Sequence, residues 1–183
     1  MDLITAARQG DIEKLNELIQ SGADLEGRDR NGRTALHHVV ELNMVNRVGM
    51  LQCLDRLIQS GADLNAQGNT KLTPLHLSIR SPESLKKLLV AGANPNLQNK
   101  QGKTPLHLAA IGFEKAVQIL LDHGADPTLM NHESQTPEES SFSDSVKVIF
   151  RDHRINQERA VLQPEGPKNL PERPTPSIGR GRL

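Results

Sequence analysis

The chemically versatile side chains of this chain are seven histidines and one cysteine. Histidine serves as general base, proton carrier or metal ligand near neutral pH, and a cysteine thiolate is a nucleophile. Spacing speaks against each of these uses. His37, His76 and His107 each follow the same lead, in Thr34-Ala35-Leu36, Thr73-Pro74-Leu75 and Thr104-Pro105-Leu106. A slot that recurs in this way is structural before it is catalytic. His37 and His38 are adjacent, and adjacent helical residues do not face one another. His123 stands before Gly124, where a histidine in a last helical turn meets free carbonyls, and His132 and His153 have no partner set in sequence. Cys53 lies among apolar neighbours in Met50-Leu51-Gln52-Cys53-Leu54 and reads as a buried, inert thiol. No HExxH pair, nucleophile elbow or phosphate-cradling glycine loop is present. These residues predict no catalytic site, no cofactor and no metal.

The segments that hold these residues repeat. Gly22-Ala23-Asp24, Gly61-Ala62-Asp63, Gly92-Ala93-Asn94 and Gly124-Ala125-Asp126 recur at steps of 39, 31 and 32 residues. The Thr-Ala/Pro-Leu-His phrase keeps register with them, with a degenerate echo at Thr136-Pro137. Thr suits a helix N-cap and the following Pro suits the first helical position, where its missing amide costs nothing. Apolar stripes at helical spacing lie between the phrases: Ile12, Leu15, Leu18 and Ile19; Leu51, Leu54, Leu57 and Ile58; Leu85, Leu88 and Leu89; Val117, Leu120 and Leu121. A glycine follows each stripe, as a helix end with positive φ requires. The unit is helix, turn, helix, polar loop. Such a unit cannot bury its apolar face alone, so units must stack.

Both phrases, in this register, resemble the ankyrin-repeat family. The resemblance implies an all-α solenoid of stacked helix-turn-helix units with projecting hairpin loops, and a protein that binds other proteins without catalysis. It also implies that His37, His76 and His107 hydrogen-bond to tie the loops together. On that pattern residues 1–29 are an N-terminal cap and 30–67, 68–99 and 100–129 are repeats. Residues 130–160 are a degenerate C-terminal cap with Glu138-Glu139 in the Leu-His place, closing a domain of residues 1–160. Val146, Ile149 and Phe150 give this cap an inward face.

Members of the family bind partners with the hairpin tips and the exposed side of the first helices, a concave surface. Carried over residue by residue, this places Arg28, Arg30 and Arg33, then Lys71, then Lys100 and Lys103 at the tips. The helix positions are His38 and Glu41, Leu77 and Arg80, and Leu108 and Ile111, with Phe113 beyond. The tips carry six bases against the single acid Asp29, which suits an acidic partner and a steered encounter. Leu77, Leu108 and Ile111 would be apolar anchors. The step of 39 reflects an insertion at residues 43–50, whose Met44, Val45, Val48 and Met50 suit either a lengthened helix or a docking bulge. An alternative function is a structural subunit that self-associates through this insertion.

Composition agrees with a layered core. Three Phe and no Tyr or Trp leave the core to aliphatic side chains. Charges balance at 22 basic and 22 acidic residues, which argues against nucleic acid as a partner. No apolar stretch approaches the length of a membrane span, and the first helix pattern begins by residue 3 without a secretory leader. The expected setting is the cytoplasm or nucleus, although export through a tail signal would leave the same pattern. The expected free state is a monomer. From residue 161 to 183 the Pro-rich composition predicts a disordered tail, with Pro171-Glu172-Arg173-Pro174 matching PxxP.

Overall fold

The computed structural model describes residues 1–41 and 46–162, and the helices lie in the order in which the apolar stripes predict them. They are α1 (Leu3–Gln9), α2 (Ile12–Gln20), α3 (Ala35–Val40), α4 (Arg47–Gln59), α5 (Pro74–Leu77), α6 (Pro82–Val90), α7 (Pro105–Ala109), α8 (Glu114–Asp122) and α9 (Asp144–Leu162). A single 3₁₀ turn, Ser78–Arg80, follows α5. The first helices α1, α3, α5 and α7 stack in one row and the second helices α2, α4, α6 and α8 in another, with α9 closing the end against α8. The architecture is all-α, and the described residues contain no strand.

Stacking buries one aliphatic layer per unit. The largest fully buried side chains are nine leucines, from Leu15 to Leu120, together with His37, His76 and His107. Burying a leucine stabilises by roughly 1.5–3 kcal/mol, so leucine layers can replace the missing aromatic area. Ala6, Ala7, Ala35, Ala109 and Ala110 are also buried and let the first helices approach closely. Cys53 is fully buried and burial pushes its thiol up to about 11, so it is an inert core group.

The insertion resolves in part. Residues 47–50 form the first turn of α4, which has 13 residues where α2, α6 and α8 have nine. Asn46 caps this turn by accepting from the Gly49 amide at 3.1 Å, and its Nδ2 donates to the Gln9 and Gly10 carbonyls. A Cβ on Gly49 would overlap the Gly10 carbonyl, so the α1–α2 turn and α4 meet backbone to backbone. Met50 is buried, while Val48 remains exposed. Met44 and Val45 lie outside the described residues, as does most of the Pro-rich stretch. The boundary expected at 160–161 falls inside α9, which continues to Leu162.

The C-terminal unit is abbreviated. Residues 137–140 form a turn where the other units have a helix. Val146 and Phe150 are buried and Ile149 packs beside them, which seats α9 on α8.

Candidate partner-binding surface

Three of the four tips share one pattern of bonds, and the second, with Gly68 in the leading place, keeps only its backbone part. In the first, the Asp29 amide donates to the Arg33 carbonyl at 2.9 Å, while its carboxylate accepts from the amides of Asn31 and Arg33. Asn99 and Asn131 do the same for their tips through their side-chain oxygens. Adjacent tips are laced together by amide-to-carbonyl bonds from Asn69 to Asn31, Lys100 to Thr70 and His132 to Gln101. Gly32 and Gly102 have φ of +69° and +73°, and a Cβ there would strike Asn69 or His132. Lys71 and Ser134 occupy the same left-handed position without being glycine, at φ +57° and +58°.

Beneath the tips, each repeated histidine joins two units. The Thr73 amide and hydroxyl both donate to His76 Nδ1, at 3.2 and 2.8 Å, so Nδ1 is the acceptor. His76 Nε2–H then donates to the Lys103 carbonyl of the next unit at 3.0 Å. His37 bridges to Leu72 and His107 to Gln135 in the same way. Burial holds all three rings below their ordinary range, His76 at about 4, so they are neutral at pH 7. Glu139 takes the histidine slot in the last unit and accepts from the Thr136 amide and hydroxyl. Among the described residues no later repeat offers it a carbonyl, so a carboxylate that only accepts suffices there.

Two further ladders were not legible from the repeated phrases. The amides of Asp63, Asn94 and Asp126 donate to side chains of Glu26, Asn65 and Asn96 in the preceding loop, each at 2.8 Å. Arg28, Gln67 and Gln98 donate in turn to the carbonyls of Gln67, Gln98 and Met130. The available signal was a long polar side chain returning in register at residues 28, 67 and 98.

This geometry sorts the residues expected to meet a partner. Arg28 is exposed and also serves as a rung: its guanidinium is engaged on the Gly32 and Gln67 carbonyls. Arg33 pairs with Glu41 at 2.6 Å, so this base and this acid neutralise each other. His38 is corrected to an interior residue, 4% exposed, with Nε2 3.0 Å from Asp29 Oδ2. Its slot holds Leu77 and Leu108 in the next repeats, and Asp29 satisfies the polar substitute. Burial alone would raise the Asp29 carboxyl, but the Arg33 and Asn31 amides and the His38 ring hold it below its usual range. Leu77 packs half-buried against the core, so the strip of three anchors shortens. Leu108 is half-buried and Ile111 is 59% exposed. Arg80 lies over the half-buried Phe113 ring, 5.6 Å from its centroid. Arg30, Lys71 and Lys100 are exposed and Lys103 half-exposed, and among the described residues none forms an ion pair.

Phe142 joins this surface and was missed in sequence. It is 95% exposed, and Ser141 Oγ donates to the Ala110 carbonyl at 2.6 Å, which holds it at the end of α7. It stands six residues after Thr136, in the register of Val40, Ile79 and Ala110. Val40 and Ala110 are buried and Ile79 half-buried, whereas among the described residues no further repeat covers Phe142. Among the described residues, no group of three or more His, Cys, Asp or Glu is placed to hold a metal ion. No described helix is long and apolar enough to cross a membrane.

Stacked helical hairpins, laced by histidine and loop ladders and presenting a row of tips, define a repeat solenoid. Two family models match the chain, one described as ankyrin repeats (3 copies) over residues 42–131 and one as ankyrin repeats (many copies) over residues 3–42. The chain belongs to the ankyrin-repeat family, whose typical role is non-enzymatic protein interaction. An ankyrin repeat protein of Rickettsia prowazekii (strain Madrid E) is 51% identical over 35 residues, or 19% of this chain and 33% of that protein. The match thus spans about a third of the relative's length.

Proposed function

We propose that the chain is a binding module that occludes or bridges an acidic protein surface held across its hairpin tips and first helices. The observation that carries this reading is the division among the six tip bases. Arg33 is neutralised by Glu41 and the Arg28 guanidinium is held on two carbonyls, whereas Arg30, Lys71, Lys100 and Lys103 form neither an ion pair nor a side-chain hydrogen bond among the described residues. Uncommitted charge along one edge accelerates encounter with the opposite charge and fixes its register. Ile111 and the outer side of Leu108 supply apolar contact nearby, and such buried anchors contribute more to the final affinity than rim charges do. The chain's working place on this reading is the cytoplasm or nucleus.

The test is affinity capture from the source cell's lysate, comparing wild type with a Leu108→Asp/Ile111→Asp variant of unchanged melting behaviour. A protein retained by wild type alone, and associating more slowly as salt rises, is the expected result. Equal retention by both proteins would remove the surface from this role.

A further inference from the structure

The helix that closes the solenoid is far longer than closure needs. Val146, Ile149, Phe150 and His153 face inward, and at 100° per residue they span one side of α9. Across residues 151–160, only His153 is less than exposed. The outer half therefore has little support from the stack, apart from the Arg154–Glu138 pair at 3.2 Å. Isolated helices of this length are marginal in water, so a second face of contact would be needed to hold it.

Such a face exists. Val148, Ile155 and Leu162 recur every seven residues, and all three are exposed, at 42%, 38% and 80%. The helical repeat places this stripe opposite the inward one. Arg151 and Glu158 flank it on one side, Asp152 and Arg159 on the other, all exposed. Turned antiparallel about Ile155, a second copy of α9 sets Val148 against Leu162 and Ile155 against itself. On one flank Asp152 then meets Arg159, and on the other Arg151 meets Glu158, so every charged neighbour is an opposite.

We propose that α9 is a self-association helix, pairing antiparallel with α9 of a second copy through Val148, Ile155 and Leu162. A two-helix contact of about four turns is smaller than the roughly 1,200 Å² of stable complexes, so the dimer is weak, with a dissociation constant on the order of 100 µM. This surface is separate from the tips and leaves them free.

Sedimentation equilibrium of the full chain tests the pairing. The wild-type mass should climb from monomer toward dimer between about 10 µM and 1 mM, around that constant. Ile155→Glu and Leu162→Asp should each remain monomeric with unchanged thermal melting, since neither residue belongs to the core. Asp152→Arg and Arg159→Asp should each weaken association about tenfold alone. A 1:1 mixture of the two should dimerise, because antiparallel pairing sets the new arginine of one variant against the new aspartate of the other. A wild type that stays monomeric to 1 mM would overturn the proposal. So would an Ile155→Glu chain that dimerises like wild type, or a mixture that fails to recover association.

Discussion

The repeated histidines show how one residue type can be common yet chemically silent. His76 accepts from Thr73 and donates to Lys103 only while its ring is neutral. The unfolded ring titrates near 6.5 and the folded ring at about 4, so the unfolded chain takes up the proton first. The contribution is full above about pH 7 and disappears as pH falls from 6.5 through 4, worth on the order of 3 kcal/mol for His76 alone. Urea unfolding at pH 7.5 and 4.5 should show the fall. The structured carboxylates Asp29, Asp126 and Glu139 are all held below their usual range, so their loss belongs to more acid conditions. His76→Ala should cost about 2–4 kcal/mol at pH 7.5 through its cavity and orphaned partners, and should shrink the acid loss. A variant with undiminished pH dependence would place the titration elsewhere. Lys71 offers the opposite sign. It holds φ +57° with a side chain, so Lys71→Gly should raise the urea midpoint by up to about 1 kcal/mol in stability.

At the scale of elements, α4 shows how an insertion is absorbed. Its extra turn is seated by the Asn46 cap and by the space that Gly49 leaves for the Gly10 carbonyl. Helix propensity alone would favour Gly49→Ala by about 1 kcal/mol. Overlap with a backbone carbonyl should outweigh this and destabilise by roughly 1–3 kcal/mol, which a thermal melt would register as a lower midpoint. A higher midpoint would mean that α4 does not rest on the α1–α2 turn. The first helices are short by comparison, four residues in α5 and five in α7, and could not persist alone. Their Thr–His boxes and the neighbouring units hold them.

For the whole molecule, the decisive property is that each unit touches only its neighbours, so stability propagates along one axis. Phe150 and Val146 cover the last leucine layer from outside. Phe150→Ala should cost about 3 kcal/mol and loosen the array from that end. Hydrogen exchange should then show α9 and α8 amides losing protection while α1 and α3 keep theirs. Uniform loss of protection would mean that the stack unfolds as one block. The same axial logic suits the end of the described stack: Glu139 replaces a bridging histidine and Phe142 stands uncovered, with no further repeat among the described residues.

Much of this architecture was carried by the sequence itself. The Gly-Ala-Asp/Asn and Thr-Pro-Leu-His phrases, the leucine stripes and the inward face of Val146, Ile149 and Phe150 are local or periodic signals, readable because helices impose a fixed period and caps a fixed chemistry. The ladders below the tips were half legible: the histidine slot could be found, but its acceptor, the carbonyl preceding the next unit's Thr, could not. Contact across units decided the rest. Arg28 and Arg30 are alike in sequence, yet one lies on the Gln67 carbonyl and the other faces water. His38 reads as a surface position until it is seen buried, with the half-buried Asp29 beside it. The outward stripe of α9 likewise depends on which side of that helix the stack claims. Period and capping act within a segment, whereas the availability of a charge or an apolar face is set by whatever packs opposite, and only the tertiary structure supplies that neighbour.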